Sequence, residues 1–477
     1  MANYKIEKIS DFLYEIPAVG AMKVPLRIYA SEQTLKKMQT DKSIEQGMNV
    51  ACLPGIYKYS IIMPDGHQGY GFPIGAVAAF DIENGIISPG GIGYDINCGV
   101  RVLSSSLRKS DVEPKITQIL DKMFMYIPCG VGEKSHIKLN DTELNKVLNK
   151  GIVWAVQNGY AEASDASKCE ENGSMQAAEA NFITHHARER GRSQLGTLGA
   201  GNHFAEVQIV EKIYDATAAQ HFGITEENQI TVMIHTGSRG LGHQICTDYL
   251  RIAEEQDFVR SLPDRELAYF PASSNKAHEY FGAMCAAANF AWCNRQVISS
   301  QIRRAFIEIF GQIEGKLNLI YDVAHNIAKI ETHNIDGKSR KVYVHRKGAT
   351  RAFGPGHAEI PEIYRKIGQP ILIPGSMGTA SYILIGTDKA MDDTFGSTAH
   401  GAGREMSRHE AIKKYNADKL CNELLDRHIH IRSASRKGIS EEAPAAYKNI
   451  DEIVKISDMA GIGKIVVKLK PLGVIKG

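Results

Sequence analysis

The glycine-rich stretch Gly90–Arg101 constrains this chain more than any other part of its sequence. It reads GGIGYDINCGVR and places Asp95 and Cys98 three residues apart among glycines. Glycine tolerates positive φ and lets a ligand approach the backbone closely, and a metal ion can neutralise a carboxylate and a thiolate together. The pattern therefore favours Asp95 and Cys98 as metal ligands. A tight turn with an inert buried cysteine would satisfy it as well.

Three histidines occur in similar contexts further along the chain. His203 leads into an apolar strand after a glycine loop, and His235 and His325 each follow a strand. With Asp95 and Cys98 they give five ligands, too many for a tetrahedral structural zinc and suited to two ions that share the sulfur. Thiolate and imidazole disfavour magnesium and calcium, whereas manganese, cobalt and zinc are all acceptable. A lone histidine so placed is more often a hydrogen-bonding residue, so the prediction depends on the whole set.

A second polar loop follows the apolar run 60–63, which we expect to be a strand ending at Pro64. The loop reads DGHQGYG and carries Asp65 and His67. We expect these two side chains to support the Asp95/Cys98 site from behind its ligands. A polar turn without a role in the site is the alternative.

His400 differs from the other histidines because it lies in the segment HGAGR, among small residues and four positions before Arg404. An exposed imidazole within reach of a cation and of loop amides can attack a phosphorus atom, with the developing charge stabilised by the arginine and by metal. The residues alone leave two alternatives open, a sixth metal ligand and a hydrogen-bonding loop residue.

Composition excludes some classes of protein but names no partner. Lysine and arginine number 56 against 54 acidic residues, so any surface for nucleic acid must be local. The eight cysteines contain no C-x-x-C pair, which is typical of a reducing compartment, and we expect a cytoplasmic protein. The N-terminus lacks the apolar core of a signal peptide, and no run of about 18 apolar residues predicts a membrane span.

Hydrophobic periodicity predicts an alternation of strands and helices. We expect strands at 24–29, 75–81, 99–106, 229–234, 318–323 and 370–374, a hairpin at 334–338, and helices at 32–38, 113–126, 142–156, 176–190, 243–257, 276–312 and up to Lys414. The long helix carries Cys285, Trp292 and Cys293, which we interpret as core residues without chemistry.

Six motifs in this order resemble the RtcB-type RNA-splicing ligases: GGIGYDINCGVR, GAGNHF, HTGSRG, AHN, PGSMG and HGAGR. The resemblance extends from about Pro64 to Gly477. It implies an α+β fold, in which one large domain over 1–477 has mixed β-sheets and surrounding helices around a deep dinuclear-metal cleft. A mainly helical segment is expected at about 240–315.

The resemblance implies a GTP- and manganese-dependent RNA ligase. Such an enzyme joins RNA ends that carry a 2′,3′-cyclic phosphate or a 3′-phosphate to 5′-hydroxyl ends, with tRNA halves as the familiar substrate. The reaction passes through a guanylyl-histidine and an RNA 3′-guanylate. Two Mn²⁺ ions, GTP, RNA and an archease-type activator are the expected cofactors and partners, and we expect a monomer that does not associate with membranes.

The resemblance also assigns roles to residues. Asp95, Cys98 and His203 would hold one manganese, Cys98, His235 and His325 would hold the other, and His400 would carry the guanylate. Tyr447 would stack on the base. The implied residues around the guanylate are Asn202, His203, Phe204, Ala205, Glu206, His325, Asn326, Pro374, Gly375, Ser376, Met377, Ser381, His400, Gly401, Ala402, Gly403, Tyr447 and Lys476.

For the RNA itself we expect a local basic rim formed by Arg239, Arg404 and Arg408. Two other functions compete with ligation. A dinuclear-metal phosphodiesterase that only opens cyclic phosphates would need the five ligands but not His400. A non-catalytic RNA-binding or metal-storage protein would need neither Arg404 nor Lys476 nor a nucleotide pocket.

Overall fold

The chain folds into two large β-sheets, two small ones and a set of flanking helices. The computed structural model describes residues 4–477. Its strands are β1 (Glu7–Ser10), β2 (Leu13–Ile16), β3 (Leu26–Tyr29), β4 (Ile56–His67), β5 (Ile74–Asp81), β6 (Ile86–Ile87), β7 (Gly99–Arg108), β8 (Phe204–Ile213), β9 (Gln229–Thr236), β10 (Phe270–Pro271), β11 (Leu317–Ala324), β12 (Asn326–Ile335), β13 (Lys338–Lys347), β14 (Ala349–Arg351), β15 (Pro370–Ile373), β16 (Ser381–Ile385), β17 (Ser397–Ala399), β18 (His430–Ser433) and β19 (Lys464–Lys476).

The α-helices cover the outer faces of the sheets. They are α1 (Glu32–Met38), α2 (Ser43–Val50), α3 (Lys109–Val112), α4 (Ile116–Tyr126), α5 (Asp141–Lys150), α6 (Ile152–Gln157), α7 (Ala163–Ala166), α8 (His185–Arg192), α9 (Ala216–His221), α10 (Arg239–Glu254), α11 (Asn275–Phe310), α12 (Asp388–Thr394), α13 (Arg408–Lys414), α14 (Ala417–Asp426), α15 (Arg436–Glu441) and α16 (Ile450–Met459). None of the helices in the described chain is long and apolar enough to cross a membrane.

Both large sheets are built mostly from antiparallel pairs. The first has the strand order β1-β2-β3-β4-β5-β13-β12, and the second has the order β11-β7-β9-β8-β19-β16-β15 with β18 joined to β19. The pairs β3–β4 and β18–β19 are parallel. Mixed sheets with segregated helices are an α+β architecture, so the predicted fold class is confirmed.

The two sheets pack on each other through a shared apolar layer. Ile61 and Val344 of the first sheet belong to the same buried cluster as Ile371 and Leu384 of the second. A larger cluster lies between the second sheet and α11, whose residues are buried on almost every side. A helix that is buried on almost every side is typical of a protein interior, and α11 packs against the sheet on which the site is built.

A buried ion-pair network fixes α11 to the strand ends of the second sheet. Arg295 on α11 donates to Asp322 on β11 with 2.7 Å between Nη2 and Oδ1. Its Nη1 also donates to the carbonyl oxygens of Asn97, at 2.8 Å, and Thr236, at 2.9 Å. Removing one partner of a buried charge pair leaves an uncompensated charge. Arg295 therefore holds the loop before β7 and the end of β9 in fixed positions.

Three predicted elements differ from the structure. The predicted helix 176–190 is wrong over its first half: a 3-10 turn (Ala180–Phe182) precedes α8, which begins only after Thr184 accepts a hydrogen bond from the N–H of Ala187. The predicted helix 142–156 divides into α5 and α6 at Gly151, which has φ of 54°. Strand β4 continues past Pro64 to His67, because its pairing with β5 shifts register there and does not need the missing N–H.

Candidate active site

Four potential ligands lie at the ends of four neighbouring strands of the second sheet, all on the same side of it. Cys98 immediately precedes β7 and His203 immediately precedes β8, while His235 lies one residue before the end of β9 and His325 directly follows β11. Because these neighbouring strands are antiparallel, the start of one lies beside the end of the next. Residues far apart in sequence are thus brought to the same place.

The strand register confirms this arrangement at the level of single residues. Gly99, which follows Cys98, is paired with Thr236 on β9 and with Ala324 on β11. Phe204, which follows His203, is paired with His235. The backbone pairing alone therefore places the four side chains around a common point.

The first group of donor atoms comprises Asp95, Cys98 and His203. Oδ2 of Asp95 lies 2.9 Å from Nε2 of His203, and Sγ of Cys98 lies 3.5 Å from the same nitrogen. The ligand atoms of the three residues all lie within 4.8 Å of one another. These three donor atoms could hold one metal ion.

The second group comprises Cys98, His235 and His325 and shares the cysteine with the first. Sγ of Cys98 lies 3.3 Å from Nε2 of His235, which in turn lies 3.3 Å from Nε2 of His325. These donor atoms also lie within 4.8 Å of one another. The two groups meet at one sulfur and comprise the residues that the family resemblance implies as ligands, and their binding of metal stays a prediction.

The surroundings of the ligands fit a metal ion. Oδ1 of Asp95 is buried without a hydrogen-bond partner among the described residues, and buried polar atoms rarely stay unpaired. Nδ1 of His203 lies 3.2 Å from the carbonyl oxygen of Leu198, and its Nε2 faces the other ligands. A second hydrogen bond of this kind commonly orients a metal-ligating histidine.

Electrostatics within the two groups also favour a cation. Burial lowers the pKa values of His235 and His325 well below the ordinary histidine value, so both imidazoles are neutral and can donate a lone pair. Burial raises the pKa of Asp95, but the adjacent His203 outweighs it and holds the pKa at about 2. Burial and Asp95 raise the pKa of Cys98 well above its usual range. A metal ion would relieve this cost by binding the thiolate.

His400 follows β17 and lies beside the second group. Its ring centroid is 4.9 Å from that of His325. Its Nδ1 lies 2.5 Å from Oδ2 of Asp65, a residue of β4 that is completely buried. The structure therefore places Asp65 under His400 and not behind Asp95 and Cys98 as the sequence suggested, because β4 belongs to the other sheet. The side chain of His400 is also less exposed than predicted, at 14%.

His67 and Lys448 fix the backbone at the end of β4, which carries Asp65. Nδ1 of His67 lies 2.9 Å from the carbonyl oxygen of Asp65, and Lys448 donates to the carbonyl oxygen of Gly66. Burial lowers the pKa of His67 to about 4, so its ring is neutral and its Nδ1–H donates. The predicted supporting role of His67 thus applies to the carboxylate under His400.

A cleft of about 470 Å³ opens above both ligand groups and His400. Most residues expected around a guanylate line this cleft: Asn202, Phe204, His325, Asn326, Pro374, Gly375, Ser376, Met377, His400, Gly401, Ala402, Gly403, Tyr447 and Lys476. Four of the expected residues are absent from its wall, namely His203, Ala205, Glu206 and Ser381.

Glu206 and Ser381 lie behind the wall, joined by one side chain. Nε2 of Gln208 donates to Oε2 of Glu206 at 2.8 Å and to Oγ of Ser381 at 3.3 Å. Oε1 of Glu206 is buried and has no hydrogen-bond partner in the described chain. Burial raises the pKa of Glu206 to about 8, against the opposing effects of Gln208 and Lys476. An unpaired acceptor at this depth is suited to a ligand with N–H donors.

Tyr447 is held at the cleft wall by Arg404 and Glu442. Nη1 of Arg404 donates to the Tyr447 hydroxyl at 3.0 Å and to Oε1 of Glu442 at 3.2 Å, and the guanidinium lies 4.9 Å from the centroid of the tyrosine ring. The Tyr447 hydroxyl in turn donates to Glu442. The sequence did not single out Glu442, which stands in a run of two glutamates that resembles an ordinary exposed helix end.

Of the three arginines of the predicted rim, Arg404 and Arg408 line the cleft, whereas Arg239 does not. Arg408 is exposed to 56% and pairs with Glu441. Arg239 is largely enclosed, with Nη1 3.3 Å from Nδ1 of His203. Arg404 is tied to Tyr447 as described above. Arg239 and Arg404 each contact other residues of the site, and contact of the three arginines with RNA stays a prediction.

Sequence reasoning also missed three residues of the cleft wall, Lys347, Tyr94 and His243. Lys347 ends β13, and its Nζ donates to the carbonyl oxygens of Tyr70 and Phe72 at 2.6 and 3.0 Å. Burial lowers the pKa of Lys347 to about 8. A lysine at a buried strand end, directly before a glycine, was the available signal.

An α+β fold with two adjoining ligand groups at the bottom of one cleft is typical of metal-dependent enzymes. Comparison with known proteins identifies the family of enzymes: residues 46–477 match the family described as tRNA-splicing ligase RtcB. The chain is 54% identical to the tRNA-splicing ligase RtcB of Pyrobaculum aerophilum over the full length of both chains, and 52% identical to that of Thermococcus kodakarensis over 99% of each. The corresponding protein of Nanoarchaeum equitans is 49% identical over the full length of both.

The chain belongs to the tRNA-splicing ligase RtcB family. The family resemblance inferred from the six motifs is thereby confirmed, and with it the prediction of an enzyme of the RNA ligase class.

Proposed function

We propose that this protein is a GTP- and manganese-dependent ligase that joins RNA 2′,3′-cyclic phosphate or 3′-phosphate ends to 5′-hydroxyl ends in tRNA splicing or RNA repair. The observation that carries the proposal is the pairing of His400 with buried Asp65 directly beside the His235/His325 ligands. Relatives that match this chain along their whole length are named tRNA-splicing ligases, which supports an RNA substrate. A monomeric cytoplasmic enzyme, helped by an archease-type activator, completes the proposal.

Asp95, Cys98 and His203 would hold one Mn²⁺, and Cys98, His235 and His325 would hold the other. The set combines carboxylate, thiolate and imidazole, all of which manganese accepts. When bound, the ions would supply Lewis-acid neutralisation of phosphate charge. The chain contributes the geometry: antiparallel strand ends fix Cys98, His203, His235 and His325 before any ion arrives, so little conformational entropy is lost on binding.

His400 would be the nucleophile. Burial raises the pKa of Asp65, but the facing His400 and its backbone N–H outweigh this effect and lower it, so the carboxylate is ionised. The carboxylate lies 2.5 Å from Nδ1, so a proton on Nδ1 would face it and the lone pair would remain on Nε2. Nε2 then forms a bond to the α-phosphorus of GTP while the bond from that phosphorus to the pyrophosphate oxygen breaks.

The remaining cleft residues would bind the guanylate. Tyr447, held by Arg404 and Glu442, offers a ring for stacking on the base. Glu206 lies behind this wall, and its unpaired Oε1 can accept from the N–H groups of guanine. The Nζ of Lys476 donates to the carbonyl oxygen of Gly201 at 2.6 Å and brings a positive charge to the same wall.

Two further displacements complete the proposed reaction. An oxygen of the RNA 3′-phosphate attacks the guanylyl phosphorus, and the bond from that phosphorus to Nε2 of His400 breaks. The 5′-hydroxyl oxygen of the second RNA then attacks the activated 3′-phosphorus, and GMP leaves with the bridging oxygen. A 2′,3′-cyclic phosphate must first be opened by water to a 3′-phosphate.

Incubation with GTP labelled at the α-phosphate, followed by a denaturing gel, tests the proposal. The wild-type protein should take up label in the presence of Mn²⁺, whereas His400→Ala should take up none yet still join an RNA that already carries a 3′-guanylate. His409→Ala, at an exposed histidine of α13, is the matched control and should label normally. A phosphoramidate is acid-labile and stable to base.

Three outcomes would overturn the proposal. Label in His400→Ala would move the nucleophile elsewhere. A bond that survives mild acid and is cleaved by alkali would exclude histidine. Opening of cyclic phosphates by wild type without any label or joining would favour the phosphodiesterase.

A further inference from the structure

Two aromatic rings are stacked at the mouth of the cleft, and neither belongs to a metal-ligand group or to the expected guanylate pocket. The ring centroids of Tyr94 and His243 are 4.9 Å apart, with 29° between their planes. The ring of Tyr70 packs edge-on against that of Tyr94, with 6.1 Å between the two ring centroids. All three residues line the same cleft as Asp95 and Cys98.

The pair is not part of a hydrophobic core. Tyr94 keeps 37% of its surface exposed, and His243 is exposed at the first turns of α10. Aromatic side chains normally contribute by being buried, so an exposed stacked pair beside a reaction centre is available to a ligand. We call Tyr94 and His243 together the aromatic platform.

The aromatic platform is fixed relative to the ligands. Tyr94 directly precedes Asp95, whose carbonyl oxygen accepts from Nδ2 of Asn326 at 3.2 Å. Tyr70 is anchored from the other side, because its hydroxyl donates to Glu254 at 2.7 Å. A rigid aromatic surface loses little entropy when a planar partner stacks on it.

We propose that the aromatic platform stacks on the terminal base of an RNA end and so positions the phosphate or hydroxyl of that end over the ligand groups. The inference rests on the proposed RNA-joining function and adds a binding subsite to it. Stacking on aromatic side chains is the usual way to hold single-stranded nucleic acid without reading its sequence, because every base has a π-face. The subsite therefore suits an enzyme that joins ends of varied sequence.

The test uses RNA with 2-aminopurine as the terminal base, since stacking quenches the fluorescence of this base. One arm places it at the 5′-hydroxyl end and the other at the 3′-phosphate end, which identifies the strand. Binding to the wild-type protein should quench one of the two arms. Tyr94→Leu and His243→Leu should abolish that quenching and weaken RNA binding by about 10-fold, the loss of one stacked base.

Two variants serve as controls. Tyr94→Phe keeps the ring and should quench as the wild type does. Tyr214→Leu removes a tyrosine that is exposed to 47% and is not part of the cleft wall, and it should have no effect on quenching or affinity. Uptake of label from GTP should be normal in Tyr214→Leu, because Tyr214 is not part of the cleft wall.

The inference is overturned if wild type binds RNA without quenching in either arm, or if both leucine variants of the platform still quench. These outcomes are separate from failure of the proposed function. A wild-type protein that neither labels nor joins would contradict the ligase proposal, whereas one that labels and joins without quenching would contradict the platform alone.

Discussion

Nδ1 of His400 lies 2.5 Å from Oδ2 of Asp65, and the same oxygen accepts the backbone N–H groups of His400 at 2.9 Å and of Gly401 at 3.2 Å. One buried carboxylate thus fixes both the ring and the backbone of the proposed nucleophile. The two backbone donors and the charge interaction with the His400 ring also explain why this carboxylate stays ionised although it is removed from water.

Asp65→Asn should slow the uptake of guanylate from labelled GTP by about 100-fold or more, the size of effect expected when a reacting imidazole loses its proton acceptor. The amide cannot attract the Nδ1 proton as a carboxylate does, so the lone pair is no longer confined to Nε2. Single-turnover labelling measures the rate. Joining of an RNA that already carries a 3′-guanylate should be affected much less.

Asp215→Asn is the matched control, because Asp215 also accepts a backbone N–H but caps α9 at the protein surface. It should label at the wild-type rate. Normal labelling in Asp65→Asn would show that the 2.5 Å contact has no part in activating His400.

The partner of His400 could not be found from the sequence. Asp65 and His400 are 335 positions apart and come from different sheets, so no local spacing connects them. The ligand groups were more accessible to prediction, since each histidine stands at the start or the end of an apolar strand, within two residues of glycine or asparagine. Antiparallel pairing of those strands then brings the ends together, as the register of Gly99 with Thr236 illustrates.

Substitutions in the two ligand groups should have different effects on metal content. Cys98→Ala removes the donor atom that both groups share and should bind no Mn²⁺ tightly. His203→Ala disturbs only the group with Asp95 and should keep one ion, held by Cys98, His235 and His325. Elemental analysis after gel filtration measures the number of Mn²⁺ ions per chain. This number should be two in wild type, one in His203→Ala and zero in Cys98→Ala.

Cys52→Ala is the control for loss of a thiol, because Cys52 is partly exposed and belongs to neither ligand group. It should retain two ions. Retention of two ions by Cys98→Ala would contradict the shared ligand. Equal loss in His203→Ala and Cys98→Ala would mean that the two groups bind metal only as a unit.

Elements that depend on long-range contacts were the hardest part of the fold to predict. The segment before Thr184 has helical composition, yet it follows the surface of α11, where the N–H of Glu179 donates to the carbonyl oxygen of Gly282. Arg239 looked like a surface arginine because it stands in a glycine loop. In the structure, Arg239 is enclosed beside His203. This contact results from the fold and has no local signal in the sequence.

Glu206→Gln should stabilise the protein in the absence of GTP, increasingly so as the pH rises. Burial raises the pKa of Glu206 to about 8, so the folded state keeps a proton that the unfolded chain releases above its ordinary value of 4.5. Wild type therefore loses stability between about pH 4.5 and pH 8, and glutamine removes this dependence. Denaturant unfolding at pH 5 and pH 8 should give a difference between variant and wild type that is small at pH 5 and larger at pH 8.

The same substitution, Glu206→Gln, should decrease the stabilisation of the protein by GTP, although it increases the stability of the protein without GTP. If Glu206 accepts N–H groups of guanine, Glu206→Gln should show a smaller rise in Tm with GTP than wild type does. A variant with the same pH dependence as wild type would mean that Glu206 is ionised in the folded protein.

Arg408→Gln and Arg239→Gln should differ in how they affect RNA binding, although both arginines were expected in one basic rim. Arg408 is exposed to 56% at the cleft wall, where it can contact a phosphate, so its loss should reduce the slope of log K against log salt by about one. Arg239 lies against Nδ1 of His203, so its loss should lower metal content or labelling and leave the slope unchanged.

Arg304→Gln removes an arginine that is exposed to 65% and paired with Glu308, and it controls for net charge. An equal change of slope in Arg304→Gln and Arg408→Gln would mean that Arg408 contributes only general charge. A change of slope in Arg239→Gln would mean that Arg239 reaches the RNA after all.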